Sequence, residues 1–340
     1  MLSIYLDAEL DGLRDRFKVS EETEDTIPSI RKFKNRIGRL NTWWGAKMLA
    51  EVDGEQCRRY VKKRGNRGGA RRDLEDLRAA INHHANEGYH RGLVKITLPA
   101  KGEPRDKWLT RSHAATLIWV CWRYREIQTI HRGPLQGQKI ATDKRPLRHL
   151  ARFILIGLYT GTRASAIAAA SPVPAVGRSY VDLERGIYYR RKQGDARTNK
   201  RQPPVPLPAR LHLRRWHRIA PEAEHFVTYE GQPVASVKTA FNTAVRLAGL
   251  EKGISPHTLR HTAATWLMQR GADPWQAAGY LGMSLDVLLN TYGHHHPNYL
   301  SDAVEKIAKR ETKTERKPTE SGIVSGAITG AVGARGSSRG

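Results

Sequence analysis

The sequence has 340 residues, 39% of them hydrophobic, and a formal net charge of +25 at pH 7. That length suits about two domains of ordinary size, and so large a charge points to a polyanionic partner, nucleic acid first and an anionic membrane surface second. No run of about 18 apolar residues predicts a transmembrane helix, acids stand where a signal peptide needs bases, and Cys57 and Cys121 form no metal-ligand pattern, which suits a reducing compartment without disulfides.

The charge is uneven. Residues 1–25 hold eight acids and three bases, a net charge of −5, so the remainder carries +30. Residues 1–27 are therefore set apart as an acidic segment and not as a basic DNA-binding arm. Residues 28–98 predict a small all-helical domain. Leu74, Leu77 and Ile81 recur at helical spacing with Arg71, Arg72 and Arg78 between them, an amphipathic helix with a basic outer face. Trp43 and Trp44 fall in an earlier helix, and Gly65–Gly69 marks a break. Pro99–Arg105 reads as extended, and residues 99–109 are taken as a linker.

A second domain, residues 110–300, opens with a helix over Thr110–Ile127 that carries Cys121 inward. A polar loop, Gly133–Arg145, and an apolar helix, Leu147–Tyr159, stopped by Gly161, follow. Ile187, Tyr188 and Tyr189 favour strand, Gly194-Asp195 suggests a turn, and Val205 with Leu207 suggests a return strand. Pro203, Pro204 and Pro206 would hold that return at a sheet edge. Helical patterns resume from Val237 to Leu300. Residues 301–340 read as a C-terminal helix and then, beyond Arg310, a tail too poor in large apolar groups to fold. The predicted class is mainly α with a small β-sheet, an α+β domain preceded by an all-α one.

Three segments carry residues suited to chemistry. In Thr160-Gly161-Thr162-Arg163, Gly161 ends one helix and Thr162 is placed to cap the next. Arg163 then lies in its first turn, where charge, fork geometry and helix dipole all suit a phosphate. In Ser255-Pro256-His257-Thr258-Leu259-Arg260-His261, Ser255 and Pro256 read as N-cap and first helical residue. Leu259, Ala263, Trp266 and Leu267 form the buried stripe, with Arg260 at its edge and His257 toward the open side. In the third segment Asp273-Pro274 starts a short helix that Gly282 ends, and Ser284 caps another that carries Tyr292. Each segment alone also fits ordinary surface or half-buried side chains.

In this order the three segments resemble the tyrosine recombinases, the family of phage integrases. That family has an Arg after a Thr-Gly turn, then His-x-x-Arg, Leu-Gly-His and a Tyr. The matching residues are Arg163, His257-Thr258-Leu259-Arg260, Leu281-Gly282-Met283 and Tyr292, with 32 residues from Arg260 to Tyr292 and 9 from Met283 to Tyr292. The resemblance extends to the helical region, where residues 69–81 look like the last helices of the family's core-binding domain. Two positions depart from the pattern. Met283 replaces a His or Trp and cannot donate a hydrogen bond to phosphate, leaving His261 and His294 as candidate donors. Ala166 stands where an acid often supports the first Arg.

The resemblance implies a site-specific recombinase that cleaves and rejoins DNA through a 3′-phosphotyrosine at Tyr292, with no cofactor. Arg163 and Arg260 would clamp the phosphate, and His257 would bind it or help take the tyrosine proton. A lysine on the β-hairpin would protonate the leaving 5′-oxygen. Lys200 is preferred for that part, with Lys192 in reserve. It further implies attachment sites in double-stranded DNA, a homotetramer on paired sites that exchanges a C-terminal helix near Val304–Arg310, and a place in the bacterial cytoplasm at the nucleoid. The rival readings are a catalytically impaired DNA-binding relative and a metal-dependent nuclease using His257, His261 and His294-His295-His296. The latter lacks a carboxylate partner.

Overall fold

The structure, a computed structural model, describes residues 1–102, 107–195, 202–208 and 211–308. Its contacts divide the chain into two units, Met1–Arg105 and Asp106–Gly340.

The first unit is all-helical. Helix α1, Leu2–Phe17, buries Leu2, Tyr5 and Leu10 against α2 and α4 and leaves Asp7, Glu9, Asp11 and Asp15 outside. The acidic segment set apart from sequence is thus a part of this unit. Its apolar stripe supplies packing, and the buried Glu24 takes hydrogen bonds from Arg14 and Lys34 at 2.6 and 2.5 Å. Helix α2, Pro28–Trp44, opens on proline and buries Ile30, Phe33, Ile37, Leu40 and Trp44, one helical stripe. Asp53 caps α3, Gly54–Arg64, and Asn66 caps α4, Arg67–Asn86, each side chain accepting a first-turn backbone N–H. Helix α4 buries Leu74, Leu77 and Ile81 as expected, and Asp73 beside them. The chain after α4 returns along the unit, with Ile96 buried and the Pro99 carbonyl accepting from Arg71.

The second unit begins before the predicted linker ends. Leu109 is fully buried, its N–H donates to Thr262 Oγ1 at 2.9 Å, and its carbonyl accepts from Trp266 Nε1 at 3.0 Å. Helix α5, Arg111–Arg123, stops short of the predicted Ile127, because β1, Ile127–Thr129, pairs antiparallel with β2, Lys139–Ala141. The predicted polar loop is the far arm of that hairpin. Helix α6, Arg148–Thr160, packs on α5 and on the later α10, and α7, Ala164–Ala168, follows it. A four-stranded sheet then forms from β3, Ala170–Ser171, β4, Ser179–Asp182, β5, Ile187–Tyr189, and β6, Val205–Pro206. Strand β3 runs parallel to β4 and the other pairs are antiparallel, with the proline-containing β6 at the edge as expected.

Helix α8, Leu213–Ile219, and a short hairpin of β7, Thr228–Tyr229, and β8, Gln232–Pro233, precede the final helices. These are α9, Lys238–Leu247, α10, Thr258–Gln269, α11, Pro274–Leu281, α12, Leu285–Tyr292, and α13, Ser301–Ala308. The core gathers Leu117, Cys121, Phe153, Tyr188, Phe241 and Leu259. A satellite cluster of Ala264, Met268, Leu281, Leu288 and Tyr292 joins α10, α11 and α12. The observed class, mainly helical with small sheets, is the predicted one. Among the described residues no helix is long and apolar enough to cross a membrane. The tail beyond Arg310 lies outside the described residues.

Candidate active site

The site starts where α6 ends. Gly161 adopts the left-handed conformation, φ 59°, and a β-carbon there would run into the Leu281 side chain, so glycine both ends the helix and admits α11. The capping expected of Thr162 is not observed. Its hydroxyl lies 2.7 Å from Thr160 Oγ1, and Arg163 itself occupies the N-cap of α7 in an extended conformation. Arg163 is half-buried, and that burial pulls its guanidinium below the ordinary arginine range.

Helix α10 begins at Thr258, later than the predicted start at Ser255-Pro256. Those residues and His257 form a turn, in which the Ser255 carbonyl accepts from the Thr258 N–H at 2.9 Å. Arg260, expected at the edge of the buried stripe, is 6% exposed. Thr258, Thr262 and Thr265 are buried as well, so α10 is enclosed around most of its girth. The Arg260 guanidinium bridges two helix ends. Nη1 donates to the Gly161 carbonyl at 2.8 Å and Nη2 to the Gly282 carbonyl at 3.3 Å. Burial first, and then the charges of Arg163 and Arg190, push its pKa down to about 10, while Tyr292 acts in the opposite sense. His257 keeps an exposed edge. Partial desolvation, then Arg260 and Arg163, hold its imidazole below the ordinary histidine range, which favours the neutral ring.

Tyr292 closes the last turn of α12, 4% exposed, and its Oη lies 2.6 Å from Nδ1 of His261. The His261 ring meets that of His257 edge-on, with centroids 4.7 Å apart. The caps that aim α11 and α12 are those read from sequence. Asp273 and Ser284 accept first-turn backbone N–H groups, and Gly282 ends α11 at φ 66°.

The structure therefore brings Arg163, His257, Arg260, His261 and Tyr292 into one neighbourhood. It also adds Arg190, which the sequence reading missed. Arg190 directly follows β5 and is 2% exposed. Its Nε donates to the Pro203 carbonyl at 2.8 Å and its Nη1 reaches the Thr160 carbonyl at 3.5 Å. Its Nη2 is buried with no hydrogen-bond partner among the described residues. Burial lowers its pKa to about 10, with Arg163 acting in the same direction. The signal was present in the strand period: in Tyr188-Tyr189-Arg190, alternate residues share a face, and Tyr188 is fully buried.

Other sequence candidates fall elsewhere. Met283 is half-buried against the α10–α12 cluster, where a thioether packs but donates nothing. Ala166 is buried, and its carbonyl accepts from Ser179 Oγ and Tyr188 Oη at 2.7 and 2.8 Å. His294 is exposed and lies against His295. Lys192 stands two residues beyond Arg190, half-exposed, and Lys200 lies outside the described residues. Arg71, Arg72 and Arg78 are on α4 of the first unit. Arg71 pairs with Glu75 at 3.0 Å and is half-buried, whereas Arg72 and Arg78 are exposed. Among the described residues no group of three or more His, Cys, Asp or Glu side chains could hold a metal ion.

The profile of the phage integrase family matches residues 138–298, a span that holds Arg163, His257, Arg260 and Tyr292. Residues 138–298, within the second unit, are thus a phage integrase domain. Two relatives from Corynebacterium glutamicum agree. The tyrosine recombinase XerD is 39% identical over 71 residues, 20% of this chain and 23% of that protein. The tyrosine recombinase XerC is 33% identical over 115 residues, 31% of this chain and 37% of that protein. The chain thus spans between about a quarter and two fifths of the length of these family members.

Solved structures of integrases and a recombinase share the fold. The Tn1549 transposon integrase in complex with a circular intermediate DNA matches with TM-score 0.62 at 16% identity, covering 89% of this chain and 99% of that one. A lambda integrase dimer bound to a core site matches with TM-score 0.59 at 16% identity, covering 87% and 96%. The XerH recombinase bound to a palindromic substrate matches with TM-score 0.57 at 17% identity, covering 83% and 80%.

Proposed function

We propose that this chain is a site-specific recombinase that cuts and rejoins double-stranded DNA through a covalent 3′-phosphotyrosine at Tyr292. One observation carries the reading: a buried tyrosine hydroxyl shares its surroundings with Arg163, Arg190 and Arg260, and the described partners of the last two are backbone carbonyls. Carbonyl dipoles orient a guanidinium without cancelling its charge. Such a cluster is preorganised for an anion whose charge grows in the transition state.

In this reading Arg163 and Arg260 hold the non-bridging oxygens of the phosphodiester. Neutral His257 donates a hydrogen bond to the same phosphate. Tyr292 Oη attacks phosphorus, and the 5′-oxygen leaves with a proton from a hairpin lysine, Lys200 before Lys192. The phosphotyrosine conserves the bond energy, so a 5′-hydroxyl from another strand reverses the step without a nucleotide cofactor. The basic surface, including Arg72 and Arg78, would engage duplex phosphates, so affinity should fall steeply with salt. The working form is proposed as a homotetramer on paired attachment sites, with α13 as the exchanged element. Its Val304 and Ile307 are 63% and 88% exposed.

The test uses nicked duplexes tiled across the DNA flanking the gene, incubated with the full chain and run on a denaturing gel. A protein–DNA adduct that forms in EDTA supports the reading. Absence of any adduct, with tight binding retained, favours a DNA-binding relative that has lost the chemistry. Cleavage that needs a divalent metal favours a nuclease.

A further inference from the structure

We propose that His261, and not His257, accepts the proton of the Tyr292 hydroxyl when the tyrosine attacks DNA. This rests on the recombinase reading and adds a catalytic residue to it. Tyr292 Oη and His261 Nδ1 are 2.6 Å apart, a short hydrogen bond between the reacting oxygen and an imidazole nitrogen. A proton acceptor must first be within such reach. His257 meets the His261 ring edge-on and keeps an edge open to solvent, a placement suited to the phosphate. His261 directly follows Arg260, and the helical backbone that aims the guanidinium also aims the imidazole, so phosphate clamp and proton acceptor form one rigid piece of α10.

The two histidines then divide the work. Among the described residues, the charged and titratable groups on the elements packed about His261 include His257 and Arg260 on α10, Tyr292 on α12, and His294 and His295 in the turn after α12, which packs on α10. Arg163 and Arg190 lie within electrostatic reach of Arg260. With Nδ1 as acceptor, the imidazole carries its own proton on Nε2. The phenolic proton moves to Nδ1, a bond forms between Oη and phosphorus, and the bond from phosphorus to the 5′-oxygen breaks. That oxygen takes its proton from the hairpin lysine. The transfer from Tyr292 to His261 leaves the net charge of the pair unchanged, so the attack adds no net charge to the two side chains. Arg260, within electrostatic reach of Tyr292, stabilises the phenolate.

The experiment measures single-turnover adduct formation from pH 5 to 10 on a nicked duplex to which the wild-type chain attaches. It compares wild type, His261→Gln, His257→Gln and Tyr292→Phe. Glutamine at 261 can still accept a hydrogen bond from Tyr292 but cannot take its proton. Wild-type rates should rise through the histidine range and level off. His261→Gln should be slower by about 10²-fold near neutrality and should keep rising toward the phenol's own pKa near 10. His257→Gln should lower the rate without changing the shape of the profile. A fluorinated, more acidic tyrosine at position 292 should restore much of the rate to His261→Gln. That rescue is not expected if the substitution had merely disturbed the fold, which thermal unfolding and DNA binding to the same duplex check separately. A His261→Gln profile equal to wild type, or faster attachment in that variant, overturns the proposal; the faster case would make the contact a latch. If wild type forms no adduct on any duplex, the recombinase reading itself falls. If wild type attaches, Tyr292→Phe does not and His261→Gln is unaffected, only this inference falls.

Discussion

Around Asp73, in the first unit, Arg39 and Arg64 each reach a buried carboxylate at 3.1 Å, and the Tyr60 hydroxyl donates to it at 2.9 Å. Around Arg260, in the second unit, the guanidinium is instead held by the carbonyls of Gly161 and Gly282, and the neighbouring Arg190 by those of Pro203 and Thr160. Both arrangements bury charge, but the first sets its guanidinium groups against a carboxylate, whereas the printed partners of Arg260 and Arg190 among the described residues are carbonyls. Removing a buried carboxylate from such a cluster leaves its partners' charges stranded. A surplus of positive charge raises the energy of the folded chain and is offset when an anion enters. The contrast separates a structural use of arginine from the one proposed to act on DNA within a single chain.

The comparison makes graded predictions. Arg260→Ala or Arg163→Ala should lower the rate of adduct formation by about 10²–10³-fold, as loss of one preorganised donor to a developing oxyanion does. Arg163→Lys should recover little of it, because an ammonium lacks the bidentate fork. An Arg260→Ala variant with near wild-type cleavage would remove the cationic cluster from the mechanism.

Asp73→Asn should act on the fold. It leaves Arg39 and Arg64 without their carboxylate and should destabilise the chain by about 3 kcal/mol, read as a lower unfolding midpoint in urea. Burial alone would raise the Asp73 pKa, but the hydrogen bonds from Arg39, Tyr60 and Arg64 outweigh it and hold it below the ordinary aspartate range. A depressed carboxylate contributes stability that is fully present above its unfolded pKa and is lost as pH falls through its folded pKa. Acid titration of wild type should show that loss below the ordinary aspartate range, and Asp73→Asn should flatten it.

Arg190→Met should sit between these cases. It removes a charge from the site and two hydrogen bonds to carbonyls, so adduct formation should fall by about 10-fold with modest destabilisation. The smallest effect is expected from Met283→His. It places a donor where a thioether now packs and should raise the cleavage rate by a few-fold, on the order of one added hydrogen bond. A fall in rate would mean that the position serves packing and not phosphate binding.

Much of the second unit was legible because its signals are local. Asp273, Gly282 and Ser284 are caps whose chemistry depends on neighbours in the chain, and Gly161 stops its helix for the same reason. The order and spacing of Arg163, His257, Arg260 and Tyr292 were readable as a motif. What was not legible depends on distant partners. The enclosure of Arg260 depends on α6 and α11 closing around α10. The inward turn of Arg190 shows only once the strand register is fixed, and the contact of Tyr292 with His261 only once α12 packs on α10. In the first unit, counting acids hid the stripe of Leu2, Tyr5 and Leu10 that makes α1 part of the core. Asp73, which the helical spacing did not single out, is buried where Arg39 and Arg64 reach it from two other helices.

The central claim is that Tyr292 becomes joined to DNA, and the most direct measurement is the mass of that link. The protein–DNA adduct from a nicked duplex should be digested with nuclease and trypsin and sequenced by tandem mass spectrometry. The account predicts a 3′-phosphonucleotide on the peptide that contains Tyr292, a free 5′-hydroxyl on the released strand, and no adduct from Tyr292→Phe. A nucleotide on Tyr280, Tyr299 or any other residue, or cleavage that leaves a 5′-phosphate, would contradict it.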